Sequence, residues 1–150
     1  MAGVALEQRR PELRVETAGT LSVDGMPISW RTRAALDDVG LPWPQHRSRQ
    51  AGRAELHRND VVIGLAPEHV QWVRREHPEV AHRTSTLLRL TRSLEKSTLP
   101  IDERLARLEL ATVELEPWEE VVDPGGGDAD DFIRCAREIV TLIDELADRL

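Results

Sequence analysis

Cysteine occurs once in the 150-residue chain, at Cys135, so no internal disulfide can form. Aromatic residues are almost as scarce, with no tyrosine, one phenylalanine and four tryptophans. Tryptophans so isolated serve as core or groove-edge residues, and sequence does not separate the two roles. Trp43 is the groove candidate, because Pro42 and Pro44 place it in a loop. Glycine and proline number only nine each, against 40% hydrophobic and 31% charged residues, which excludes a low-complexity or disordered chain. No apolar run reaches the 18 residues of a membrane span, and no charged-then-apolar leader is visible, so a cytoplasmic protein is expected. Positive charge is also in deficit. Twenty Lys and Arg stand against 27 Asp and Glu, a net charge of -7 that argues against general affinity for nucleic acid or an anionic membrane. The oligomeric state is not legible.

What is present reads as alternating helices and strands. Ala2, Ala5 and Leu6 mark an amphipathic helix already under way at the first residue and stopped by Pro11. "LRVE" at 13–16 alternates and predicts a short strand that enters a turn at Gly19. Ser29 is a candidate N-cap for a helix with Trp30, Ala34, Leu36 and Val39 facing inward, stopped by Gly40 and Pro42. Asp60 to Leu65 contains the unbroken apolar run of a strand buried on both faces of a parallel sheet. Pro67 then opens a helix with Val70, Trp72 or Val73 inward, although Ala66 is a poor cap, and Pro78 closes it.

"TSTLL" predicts a further strand, and Asp102 to Thr112 a helix carrying Leu105 and Leu108. "DPGGGDADD" is the strongest loop signal, and Asp128 with Asp131 resembles a capping box with an aspartate where the longer Glu or Gln is usual. A last helix bears one apolar stripe from Phe132 through Cys135, Ala136, Ile139, Ile143, Leu146 and Ala147 to Leu150. This order predicts an α/β fold of three layers, a parallel sheet flanked by helices, in a single domain over residues 1–150.

Few residues carry chemistry. Cys135 lies on the apolar stripe, which makes it a buried structural thiol rather than a nucleophile. His69, His77 and His82 match no tight ligand spacing and read as solvated surface histidines, so no metal and no cofactor is expected. The basic run His46, Arg47, Arg49, Arg53, His57 and Arg58 lacks the interleaved aromatics of a nucleic-acid surface and reads as a solvated or internally paired loop. Asp123 stands out. Pro124 holds it in extended geometry and the glycines that follow let its loop approach another surface, which suits a general acid as well as an ordinary Asp-Pro turn.

In order, the segments "VETAGT", "HRSRQ", "NDVVIGLAPEH" and "VVDPGGGDADDF" resemble the low-molecular-weight protein tyrosine phosphatases across almost the whole chain. The resemblance implies hydrolysis of a phosphomonoester through a cysteinyl-phosphate, with a Cys-x5-Arg loop cradling the phosphate. Asp123 would protonate the leaving oxygen, and Thr17, in place of the family's serine, would steady the phosphate loop from behind. "MAGVALEQRR" matches only from the methionine that follows that loop, and Cys135 cannot substitute, since Thr141 rather than arginine lies six positions on.

The first strand, which the resemblance places between Leu13–Glu16 and Asp60–Leu65, is then absent too. Gly125 and Gly126 replace the aromatics that often follow Asp-Pro, which thins any wall for a phenyl ring. Two expectations follow. One is a phosphatase-like domain, truncated at its N-terminus, that acts on a phosphorylated protein or small phosphomonoester only when completed upstream; the other is a non-catalytic binding or regulatory module. An arsenate-reductase-like role is not separated from a phosphatase.

Overall fold

The computed structural model describes residues 1–43 and 45–150. They form two compact units, Met1–Ala51 with Val122–Ala147, and Gly52–Val121 with Asp148–Leu150.

The first unit is three helices joined by extended chain. Helix α1 spans Ala2–Arg9 and buries Ala5 and Leu6. Helix α2 spans Trp30–Asp38, with Ser29 accepting from the Thr32 N–H at its start. Gly40 takes a φ of 67°, and the Leu41 N–H reaches back 2.9 Å to the Leu36 carbonyl. That satisfies a carbonyl at the helix end through a conformation only glycine adopts cheaply. The longest helix of the chain, Ala129–Ala147, buries Cys135, Ala136, Ile139, Ile143, Leu146 and Ala147, and α1 and α2 pack against it. This is the predicted stripe, except that Phe132 is only half-buried and Leu150 lies beyond the helix end.

Charged side chains clamp the edges of this packing. Arg9 meets Asp144, Arg10 donates to the Ala147 carbonyl at 2.7 Å, and Arg137 grips both Asp38 oxygens at 2.9 Å. Trp30 does not face inward: it is 63% exposed, while Ala35 and Leu36 are buried. At about 100° per residue these two lie roughly 140° and 120° around the helix from Trp30, so they cannot share its face.

Residues 13–16 form no strand, a second correction. A strand is defined by its ladder, and no strand flanks this segment among the described residues. Downstream, Gly19 pairs with Gln50 through bonds from Gly19 N–H to the Arg49 carbonyl and from Ala51 N–H to the Gly19 carbonyl.

The second unit holds the sheet. After helix α3 (Arg53–Arg58), strand β1 (Val62–Gly64) pairs in parallel with β2 (Thr84–Thr86), Val62 opposite Thr84. Helix α4 (Pro67–Glu76) and the 3-10 turn Pro78–Arg83 connect the strands. β2 is fully buried, but β1 is only half-buried, against the expectation of burial on both faces. Among the described residues its ladder runs on one side only, which leaves the other edge uncovered by a strand.

Val70 and Val73 point inward from α4, and Leu56, Val73 and Val80 form a core cluster with Val62 and Trp72 packed against it. β2 runs directly into α5 (Leu87–Ser93), with Thr86 as the cap that accepts from the Arg89 N–H. Helix α6 (Ile101–Ala106) is shorter than the predicted 102–112 helix. The chain leaves helical geometry beyond Arg107, and Glu109 has a φ of 50°. The helix Ala129–Ala147 is accordingly α7. Parallel strands joined through a helix make the chain α/β.

Candidate active site

The Asp-Pro loop begins at Val121, which is buried, and continues through Val122, which is 68% exposed, to the exposed Asp123. Asp123 Oδ1 accepts from the Gly125 N–H at 2.9 Å, which folds the carboxylate over its own loop. Gly126 takes a φ of 82°, and the Gly127 N–H closes the turn on the Pro124 carbonyl. Glycine is also required at 127 for space, because a Cβ there would lie 2.4 Å from Asp131 Oδ2.

That carboxylate is occupied in a reciprocal cap. Asp131 Oδ2 accepts from the Asp128 N–H at 2.9 Å while Asp128 Oδ1 accepts from the Asp131 N–H at 3.1 Å. The short Asp131 side chain therefore does reach back, because the glycine turn brings the Asp128 backbone to it. Bonding to the Asp131 N–H holds the Asp128 carboxyl below its ordinary range. Arg31 of α2 donates to the Gly127 carbonyl and places its guanidinium 5.1 Å from the Phe132 ring centre, pinning the loop to the first turn of α7.

Asp123 opens onto a depression of about 380 Å³ whose lining includes Arg134, Cys135 and Glu138 on the near face of α7. Burial pushes the Cys135 thiol up, and the charges of Glu138 and Asp123 push it further, against a smaller opposing effect of the Met1 ammonium group. The site thus holds an exposed carboxyl beside a thiol that burial keeps protonated.

Thr17 lies on the same unit but makes no hydrogen bond with Asp123 among the described residues. Its carbonyl accepts from Arg49 Nε at 2.9 Å, and its methyl group lies against α1, where a Cβ on Gly3 would come within 2.5 Å. The contact with the helix is steric, made possible by the missing side chain at Gly3.

The histidines are not simply solvated. His69 Nδ1 accepts from the N–H groups of both Leu65 and Ala66, and His77 meets the Trp72 ring edge-on at 5.1 Å. Of these three, only His82 is exposed. Part of the basic run is internally paired: Arg49 with Glu16, and Arg53 and His57 with Glu79. Trp43 is half-exposed, donates to Asp37 at 2.8 Å and lies under Arg33.

Sequence reasoning missed a buried polar group centred on Glu119. It accepts from Thr86 Oγ1 at 2.6 Å, from Arg89 and from the Glu116 N–H at 2.8 Å. Nothing in the spacing of these residues announces their meeting, since Glu119 reads as one acid in an acidic run.

The family described as low molecular weight phosphotyrosine protein phosphatase has a sequence model that matches residues 3–112. The protein-arginine-phosphatase of Geobacillus stearothermophilus is 23% identical over 151 residues, covering 100% of this chain and 86% of that protein. The structure of the YwlE arginine phosphatase from Geobacillus stearothermophilus aligns with a TM-score of 0.75 at 23% identity, over 97% of this chain and 80% of that one. A low molecular weight protein tyrosine phosphatase from T. tengcongensis aligns with a TM-score of 0.76 at 20% identity, over 99% and 88%. Vibrio vulnificus Wzb, solved with benzylphosphonate, aligns at 0.75 and 14% identity, again over 99% and 88%. The sequence match and the shared fold agree: this chain belongs to the low molecular weight phosphotyrosine protein phosphatase family.

Proposed function

We propose that Asp123 is the general acid of a phosphomonoester hydrolysis that proceeds through a cysteinyl-phosphate, within a single phosphatase-like domain. The supporting observation is an exposed carboxyl on a glycine-rich turn that is capped onto α7 and opens onto the depression. In that role it donates its proton to the departing oxygen as the phosphorus–oxygen bond breaks, so that no free alkoxide or phenolate forms. Thr17 supports the phosphate loop through its position against α1.

These 150 residues supply the acid without the nucleophile. Cys135, the one thiol, is 7% exposed on the buried stripe of α7 and held protonated. We therefore read the chain as inactive by itself and as acting, when a Cys-x5-Arg loop is supplied, on a phosphorylated protein or small phosphomonoester in the cytoplasm. Gly125 and Gly126 offer no aromatic wall, which favours phosphorylated residues beyond tyrosine; the arginine phosphatase relative makes phosphoarginine one such class.

The purified chain should hydrolyse an aryl phosphate no faster than buffer. Turnover that Asp123→Ala abolishes would overturn the claim of inactivity. In a chain bearing the loop, Asp123→Ala should slow substrates with poor leaving groups far more than activated ones, and equal loss with both would remove Asp123 as the acid.

A second reading, a non-catalytic binding module, draws on the large apolar side chains left exposed at Leu21, Val23, Met26 and Trp30. It requires the chain to remain folded and monodisperse without activity. Broad amide resonances and a featureless thermal melt would count against it.

A further inference from the structure

We infer that His69 is a positioning residue: its neutral ring caps the turn between β1 and α4 and, through the Leu65 carbonyl, holds Val121, the residue at which the chain sets out toward Asp123. The inference builds on the reading of Asp123 as the acid, but the contacts that carry it stand independently of that reading.

The start of α4 lacks an ordinary cap. Ala66 has no side-chain oxygen to accept the first free N–H groups, and its own N–H and that of Leu65 need partners in a turn where Ala66 is 4% exposed. His69 supplies them, with Nδ1 lying 3.2 Å from the Leu65 nitrogen and 3.2 Å from the Ala66 nitrogen. An imidazole nitrogen accepts only when it carries no proton, so two donors on Nδ1 assign the neutral tautomer with its hydrogen on Nε2.

The ring reaches this place because Gly64 has no side chain. A Cβ at 64 would lie 2.9 Å from the His69 Cβ. The turn so held is then used a second time: the Leu65 carbonyl accepts from the Val121 N–H at 2.8 Å. Val121 is buried and lies two residues before Asp123, at the point where the chain leaves the Glu119 cluster for the Asp-Pro loop. One ring nitrogen thus fixes two amides of a turn whose carbonyl fixes a third.

Removing the acceptor should loosen that series of contacts and nothing else. In the 150-residue chain, His69→Leu should raise amide exchange at Leu65, Ala66 and Val121 by about ten-fold or more and leave Ile139 in α7 and Leu90 in α5 unchanged. His69→Gln restores an acceptor at the third helical position and should recover much of the protection at all three amides. The side-chain nitrogen resonances of unmodified His69 should show a bare Nδ1 and a protonated Nε2.

An Nδ1–H tautomer would overturn the assignment even if His69→Leu does not fold. Unchanged exchange at Val121 with faster exchange at Leu65 would reject the link to Val121, and uniform acceleration that reaches Leu90 would reduce His69 to a general packing residue. None of these readouts depends on whether Asp123 protonates anything, so the acid reading and the positioning reading fail separately.

Discussion

The Glu119 carboxylate, with no surface exposed to solvent, takes the Arg89 guanidinium on both of its oxygens. Thr86 and the Glu116 N–H complete its shell, while Arg89 reaches the Glu114 carbonyl and lies near the Trp118 ring. The pair fastens the segment before the Asp-Pro loop to α5. Truncation to Ala leaves a guanidinium and a hydroxyl without their acceptor, and breaking such a buried pair costs about 3–5 kcal/mol. Urea unfolding of Glu119→Ala should show a loss of that order, and a loss below about 1 kcal/mol would mark the pair as solvent-screened rather than structural.

The same carboxylate sets a pH dependence. Burial pushes the Glu119 carboxyl up, but hydrogen bonds from Arg89, Thr86 and the Glu116 backbone together outweigh it and hold the group below its ordinary value. A depressed folded-state value means that the unfolded chain binds the proton more readily, so this contribution is complete above the unfolded carboxylate range of about 4.3 and is lost as pH falls through the lower folded value. Glu12, Glu79 and Asp128 are also held low and act with the same sign. Stability measured from pH 7 downward should therefore fall in acid, and Glu119→Gln should flatten that fall without abolishing it. An unchanged slope would show that Glu119 does not titrate in this window.

The reciprocal bonds between Asp128 and Asp131 carry the entry to α7. Asp128→Ala removes the acceptor for the Asp131 N–H and should lower the midpoint of thermal unfolding. Asp128→Asn keeps an acceptor and should lower it by only a fraction of that amount. Equal losses for the two variants in thermal unfolding would trace the effect to charge rather than to capping.

Gly3 and Thr17 are coupled by space. An alanine at position 3 gains helix propensity but places its methyl 2.5 Å from Thr17 Cγ2, on a β-branched side chain with little freedom to turn away. Gly3→Ala should therefore destabilise the chain alone. In a Thr17→Ser background the obstructing methyl is gone, and the same change should become neutral or stabilising, a coupling of about 1–3 kcal/mol in a double-mutant cycle. Additive effects would show that the two residues do not touch.

Local signals were legible wherever the chemistry is local. Ser29 caps α2, Gly40 ends it with a positive φ, Pro67 opens α4 and the glycine run makes the loop, because each depends on neighbours within a few residues. The stripe of α7 follows from its period. By contrast the 13–16 segment alternates like a strand yet has no ladder, and β1 has the composition of a central strand yet is half-buried. Strand status and burial belong to pairs of segments, and composition describes one segment at a time.

The candidate site divides in the same way. By itself the sequence placed Asp123 on an Asp-Pro-Gly turn, put the lone thiol on an apolar stripe and ordered the motifs of a phosphatase, since these are properties of adjacent residues and of their succession. Only the tertiary structure brought Arg31 to Gly127, Glu119 to Arg89 and Thr86, and the Leu65 carbonyl to Val121. It also turned His69 from a surface histidine into a cap. Those partners lie up to 96 positions apart in the chain, and a polar side chain with many possible partners is committed to one only when packing has excluded water and the rest.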